Sequence, residues 1–136
     1  MIPSIFEVFE KMFYIFLEPL YVGYDDYDME AAISFEGTMS GDVRILLSGN
    51  IARAMVQNML GLEENEITGQ DMEDCSKEAV NMACGNFLSK IDSTEAFNLF
   101  TPNFKEGRPE GLESGEDICR MDFDSDNGKI GVIVRL

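Results

Sequence analysis

The sequence predicts an α+β fold in which helices pack on one side of a mostly antiparallel sheet. Apolar residues recur at helical spacing in some segments and at alternate positions in others, and Asn127-Gly128 marks a tight turn between two alternating segments. Consecutive strands joined by hairpins are typical of antiparallel sheets, and segregated helices are typical of two layers. The predicted element order is α-β-β-α-α-β-β-β, in a single domain over residues 1–136.

The first segment is predicted to be an amphipathic helix. Ser4 and Glu7 have the spacing of a capping box, and the apolar pattern continues to about Leu17. Charged residues interrupt this pattern, so the uninterrupted apolar run is far shorter than the roughly 20 residues of a membrane span. Basic residues are scarce on its polar side, which disfavours attachment to a membrane surface. We therefore expect this helix to pack on the core.

A hairpin and a second helix are predicted next. Alternating apolar residues indicate two strands at 29–36 and 42–47, with a hairpin loop at 37–41 between them. Asn50 is a suitable N-cap for the helix, and Gly61 suits its end. The apolar face of this helix is predicted to consist of Ile51, Met55, Val56, Met59 and Leu60.

The longest helix is predicted to begin after Thr68, because Asp71 follows it at capping-box spacing, and to run to about Ile91. A strand near Phe97 and Leu99 should stop before Pro102, which disfavours helix at the preceding residue. The remaining predictions are a loop at 103–117 and two strands at 118–123 and 130–136.

The long helix is predicted to have one buried and one polar face. Successive residues turn by roughly 100°, so a buried stripe centred on Ala83 would include Ala79, Val80 and Phe87. The opposite face, within an arc of roughly 60°, holds Asp74, Glu78, Asn81, Gly85 and Asp92. A glycine inside a helix costs roughly 1 kcal/mol relative to alanine, so Gly85 needs a packing or access reason. Periodicity alone favours a merely solvated surface, which is the usual state of polar residues on an outer helix face.

Composition excludes several classes of function. The formal net charge of −16 disfavours nucleic acid and anionic membranes as partners. The chain has no histidine, which removes Ser-His-Asp and Cys-His mechanisms, phosphohistidine chemistry and the common zinc sites. Cys75 and Cys84 fall within the long helix and are interpreted as small apolar residues, with Cys119 as the third thiol. Reduced thiols and the lack of an evident signal peptide predict a cytoplasmic location.

The polar face carries a motif. It has the pattern Asp74-x-x-x-Glu78-x-x-Asn81, followed by Gly85-Asn86 and, one strand later, by Pro102. This pattern resembles the signature of the CheC/CheX/FliY family of chemotaxis phosphatases, and the segment 37–61 resembles the corresponding family segment. The resemblance extends over roughly residues 28 to 136 and implies a CheX-like fold.

The resemblance also implies a function. Family members hydrolyse the aspartyl phosphate of the response regulator CheY. By this resemblance Asn81 orients the attacking water, and Glu78 pairs with a lysine in the partner's active site. Asp74 and Gly85 would contribute to partner binding, and Asn86 and Pro102 would be structural. No cofactor or metal of the chain's own is expected, since magnesium would belong to the response regulator.

Within the family, the single-site, CheX-like branch fits best, and that branch forms homodimers. The second helix has Asn58, but Met55 stands at the position of the glutamate, so a second site is not expected. The alternative is a module of the same fold that binds a receiver domain, or another signalling partner, without hydrolysis.

Overall fold

The structure of the protein is a computed structural model that describes residues 2–21, 23–91, 97–110 and 118–136. Over these residues the helices are α1 (Ile2–Phe13), α2 (Gly49–Leu60) and α3 (Gly69–Ile91), with a short 3₁₀ turn at Glu64–Glu66. The strands are β1 (Glu18–Leu20), β2 (Met29–Glu36), β3 (Gly41–Leu47), β4 (Asn98–Leu99), β5 (Asn103–Glu106), β6 (Ile118–Asp124) and β7 (Ile130–Arg135).

All the strand pairs formed by the described residues are antiparallel. The order across the sheet is β1-β6-β7-β3-β2-β4, and β5 also pairs with β2. The central pairing sets Ala31 opposite Ile45, and Val43 opposite Val134. The helices cover one face of this sheet, so the predicted α+β class is confirmed.

The core lies between the helices and the inner face of the sheet. The alternation predicted for β2 is confirmed over most of the strand, since Ala31, Ile33 and Phe35 are buried and Ser34 and Glu36 are exposed. Glu30, predicted on the exposed side, is buried instead. The helices contribute the fully buried side chains Ile5, Phe9, Phe13, Ile51, Met55, Val56, Ala79, Val80, Ala83 and Cys84. This core packs α3 against β2, β3 and β5, with its outer face turned away from the sheet.

Two short strands were not predicted. β1 pairs with β6, and β5 pairs with β2 over residues 103–106, where a loop was expected. Residues 111–117 of that predicted loop lie outside the described residues. A strand of three or four residues carries little alternation, and its ladder forms because the neighbouring strand already presents free N–H and C=O groups.

The predicted capping box of α1 is wrong. The helix begins at Ile2, and Ser4 lies inside it, fully buried. Pro3 fits the first turn because the N–H that proline lacks would have no helical partner there. Ser4 and Glu7 instead bond to α3, so tertiary partners take the groups that a cap would have used.

The end of α1 also differs from the prediction. The helix stops at Phe13 rather than near Leu17, because Tyr14 adopts a left-handed backbone with φ of 55°. The Ile15 N–H donates to the Phe9 carbonyl at 2.9 Å, closing the helix end. The next residues alternate, with Ile15 and Leu17 buried and Phe16 exposed. The spacing of the apolar residues therefore changes from helical to extended after Phe13, although apolar residues continue on both sides of that point.

The N-cap of α2 is Ser48, not Asn50. The Gly49 N–H donates to Asp28 Oδ2 at 2.7 Å, which satisfies a free helix-end donor from outside the helix. The end at Gly61 is confirmed by its left-handed φ of 68°. The predicted apolar face is confirmed only in part, since Met59 and Leu60 are 40% and 50% exposed.

The start of α3 is confirmed in detail. The Asp71 N–H donates to Thr68 Oγ1 at 3.1 Å, and the Thr68 N–H donates to Asp71 Oδ2 at 3.0 Å. Both bonds of a capping box are present, and Asp71 also suits the positive end of the helix dipole. No helix among the described residues is long and apolar enough to cross a membrane.

Gly128 is required by the turn between β6 and β7. Its φ is 136°, and a Cβ there would lie 2.5 Å from Ser48 Oγ and 3.0 Å from the Ile51 N atom. We expect Gly128→Ala to lower the free energy of unfolding by about 2 kcal/mol or more, because strain and overlap add. Urea unfolding measures this change. Gly23→Ala, where no atom lies within 4 Å, is the matched control, and equal stability of the two variants would contradict the prediction.

Candidate functional site

The two faces of α3 are arranged largely as predicted. Ala79, Val80 and Ala83 are fully buried, and Phe87 is only partly buried. The outer face carries Asp74, Glu78, Asn81 and Gly85, of which Asp74 is exposed and the other three are partly exposed. Asp92, predicted for the same face, lies outside the described residues. The structure therefore brings four of the predicted site residues onto one accessible surface.

Glu78 and Asn81 are neighbours on this face. Three residues of helix separate their Cα atoms by about 4.5 Å along the axis and by roughly 60° around it. Across the described ranges of the chain, neither side chain makes an intramolecular hydrogen bond. A carboxylate accepts hydrogen bonds, and a carboxamide both donates and accepts them. Both groups are thus available to another molecule.

The surface beyond Asn81 is open. Gly85 stands one turn further along α3, and a Cβ built there meets no atom within 4 Å. No neighbouring atom therefore requires a glycine at this position for packing. The open surface is instead consistent with a glycine that leaves room for another molecule to approach. Asp74, one turn before Glu78, accepts a hydrogen bond from Gln70 Nε2 at 2.8 Å and stays exposed.

The acidic groups of this face act on the thiol beneath them. Burial, followed by the negative charges of Asp71, Asp74 and Glu78, raises the pKa of Cys75. Burial raises the pKa of Cys84 to about 11. Both thiols are buried, which confirms their interpretation as small apolar residues. A raised pKa also disfavours the reactive thiolate form.

Asn86 joins α3 to α1. Its Oδ1 accepts a hydrogen bond from Ser4 Oγ at 3.0 Å, and its Nδ2 donates to Glu7 Oε2 at 3.2 Å. Lys11 and Lys90 also donate to Glu7, and these three partners lower the pKa of Glu7 from 4.5 to about 2. In the Gly85-Asn86 pair, Gly85 leaves the outer surface of α3 open, and Asn86 holds α3 against α1.

Pro102 lies between two short strands that both pair with β2. β4 pairs at Phe35 and Glu36, and β5 pairs at residues 29–32. Proline has no N–H to donate to a ladder, so it marks the interruption between them. Its position is compatible with a structural role.

The second helix offers no equivalent pair. Met55 is fully buried, and Asn58 Nδ2 donates to the Phe13 carbonyl at 2.8 Å. This asparagine is used to hold the end of α1. Among the residues that the structure describes, no cluster of three or more potential metal ligands is found.

Sequence reasoning missed one feature of this surface. Met82 is 42% exposed, next to Asn81 and one turn after Glu78. Met59 and Leu60, expected in the core, are also exposed. Helical phase alone could have found Met82, because it lies about 40° from Glu78 around the axis. The exposure of Met59 and Leu60 depends on which other elements cover the end of α2, and no local sequence pattern predicts that.

The comparisons with known proteins identify the family of the chain. The sequence profile of the family described as chemotaxis phosphatase CheX matches residues 29–124, which is well over half of the chain. The chain therefore belongs to the CheX family of chemotaxis proteins, and its fold agrees with that assignment. No curated protein matches the sequence.

Several solved structures share the fold. Chemotaxis protein CheX from Vibrio vulnificus is 24% identical, with a TM-score of 0.81 over 98% of this chain and 91% of the other. The CheX-CheY-BeF3-Mg complex from Borrelia burgdorferi contains a chain that is 16% identical, with a TM-score of 0.76 over 98% and 93%. Thermotoga maritima FliY is 13% identical, with a TM-score of 0.58 over 97% and 82%.

Proposed function

We propose that this CheX-family protein is a phosphatase that removes the phosphoryl group from the aspartyl phosphate of a CheY-type response regulator. One observation carries the proposal. Glu78 and Asn81 lie on an accessible face of α3 without intramolecular hydrogen bonds in the described ranges, beside the open position at Gly85. The Borrelia burgdorferi relative is in a complex with CheY, which supports a receiver domain as the partner.

The reaction needs little covalent chemistry from this protein. Water attacks the phosphorus atom, the bond from phosphorus to the aspartyl oxygen breaks, and the products are inorganic phosphate and the free carboxylate. An acyl phosphate is already activated, so positioning the water supplies much of the acceleration. Asn81 can accept a hydrogen bond from that water through Oδ1 and donate one through Nδ2. No histidine is required.

Glu78 has the role of an anchor in this proposal. Its carboxylate pairs with the lysine of the receiver's active site, which fixes Asn81 relative to the phosphoryl group. An ion pair that becomes desolvated on docking contributes specificity as well as affinity. Magnesium is held by the receiver domain in this scheme, and Asp74 shapes the contact surface next to the pair.

The test is the rate of phosphoryl loss from a phosphorylated CheY-type receiver domain, measured as release of inorganic phosphate with and without this protein. We expect a saturable acceleration over the receiver's own rate. Binding to the receiver without acceleration would support the alternative, a module that docks without hydrolysis. If no receiver domain tested is bound or dephosphorylated faster, both the phosphatase and the docking module are contradicted.

Two further properties belong to the same proposal. We expect the protein to act in the cytoplasm, where response regulators are found, and to form a homodimer as expected for the CheX-like branch. Light scattering at micromolar concentration tests the second expectation, since a monomer mass over the whole range would contradict it.

A further inference from the structure

Exposed apolar side chains lie to one side of Glu78 and Asn81. Met82 lies on the same helix as Asn81, and Met59 and Leu60 lie in the last turn of α2. These three residues, 42%, 40% and 50% exposed, are called the apolar shoulder below. Clustered exposed apolar residues are a feature of interaction sites, whereas single ones are common on any surface.

Contacts within the described chain place the end of α2, which bears Met59 and Leu60, beside α3, which bears Met82. Met59 Sδ lies 3.9 Å from Cys75 Sγ, so the end of α2 sits against α3 one turn before Glu78. Asn58 Nδ2 donates to the Phe13 carbonyl at 2.8 Å, so the end of α1 adjoins the same turn of α2. The shoulder is therefore part of the helix layer that bears Glu78 and Asn81.

Tyr14 is an independent observation at the margin of this surface. It follows the Phe13 carbonyl that Asn58 holds, has a φ of 55° and is 69% exposed. A left-handed conformation costs a residue other than glycine roughly 1–2 kcal/mol. Glycine would close the helix at lower cost. Strained backbone positions cluster at functional sites, so the exposed ring of Tyr14 is a candidate contact on this surface.

We infer that the apolar shoulder of Met59, Leu60 and Met82, with Tyr14 at its margin, is the surface on which the phosphorylated receiver domain docks. This inference rests on the proposed function, because it takes the receiver as the occupant. It adds residues that the family motif does not include. The shoulder would supply binding area, and the pair on α3 would supply the chemistry.

The size of a protein interface supports this occupant. A specific interface covers about 800 Å² on each partner, which is a disc with a radius of roughly 16 Å. Met82 adjoins Asn81, and Cys75, which Met59 contacts, is six residues or about 9 Å along the axis from Asn81. A receiver domain centred on Asn81 would therefore cover the shoulder. Methionine is enriched in such interfaces because its side chain is flexible and polarizable.

The test compares polar variants of similar size. Met82→Gln and Leu60→Gln keep good helix formers in place and remove the apolar contact. Binding to a receiver domain activated with beryllofluoride and Mg²⁺ is measured by titration, and turnover is measured on the phosphorylated receiver. We expect the double variant to bind about tenfold more weakly and to raise KM, with kcat retained at saturation.

Leu136→Gln is the matched control, since Leu136 is 56% exposed and follows β7 in the strand layer. It is expected to bind as the wild type does, and thermal unfolding checks that every variant is folded. If the double variant binds within about twofold of wild type while Asn81→Ala still loses turnover, the shoulder inference fails and the phosphatase proposal stands. If wild type binds no receiver domain, both fail.

Discussion

Replacing Asn81 by alanine is expected to lower kcat for phosphoryl loss by about 10²–10³-fold, the usual cost of removing one positioned polar group from a reacting centre. The carboxamide is the group proposed to orient the attacking water, and its side chain makes no hydrogen bond to the described parts of its own chain. The fold should not suffer. Alanine is a better helix former than asparagine, so stability is expected to rise by a few tenths of a kcal/mol.

Two measurements separate chemistry from docking for this variant. Turnover on the phosphorylated receiver should fall, while affinity for the beryllofluoride-activated receiver should change little, because Glu78 and the apolar shoulder remain. Asn65→Ala removes an exposed asparagine outside α3 and is the control. Wild-type turnover by Asn81→Ala would contradict the role given to the amide.

Replacing Gly85 by glutamine is expected to change stability and activity in opposite directions. A Cβ at this position meets no atom within 4 Å, so the side chain fits. Helix propensity predicts a gain of about 0.5 kcal/mol in the free energy of unfolding, and about 1 kcal/mol for Gly85→Ala. Side chains on a helix lean towards its N-terminus, so a glutamine at 85 would extend over Asn81, four residues earlier.

The covered amide could then no longer approach a phosphoryl group. A misplacement of about 1 Å costs roughly 10²-fold in rate, so kcat/KM should fall by at least about that factor in Gly85→Gln. Gly85→Ala should lose less, because its methyl group is short. Thermal unfolding and turnover on the same preparations measure both effects. Full activity in Gly85→Gln would mean that no partner approaches this face closely.

The contrast between two capping boxes indicates how far the sequence could predict the fold. Thr68 and Asp71 cap α3 as their spacing indicates, whereas Ser4 and Glu7, at the same spacing, bond to α3 instead. A capping motif is local, and it holds only where no distant partner competes for the same groups. Asn86 is such a partner for Ser4, 82 residues away, and no local pattern reveals it.

The sequence predicted which residues of the candidate site share a helix face better than it predicted which apolar residues beside them are exposed. Helical phase placed Glu78, Asn81 and Gly85 on one face, because the period of α3 is regular over its 23 residues. The same reasoning put Met59 and Leu60 in the core, and it was wrong there. Phase decides which residues share a face, but the packing of other elements decides whether that face is covered.

The proposed mechanism is tested most directly by a double-mutant cycle between Glu78 and the active-site lysine of the receiver domain. Binding of the beryllofluoride-activated receiver is titrated for wild type, for each alanine variant and for the pair, with Glu64→Ala as a control on this chain. An ion pair across the interface predicts a coupling energy of at least about 1 kcal/mol. Additive effects within about 0.5 kcal/mol would mean that α3 does not enter the receiver's active site.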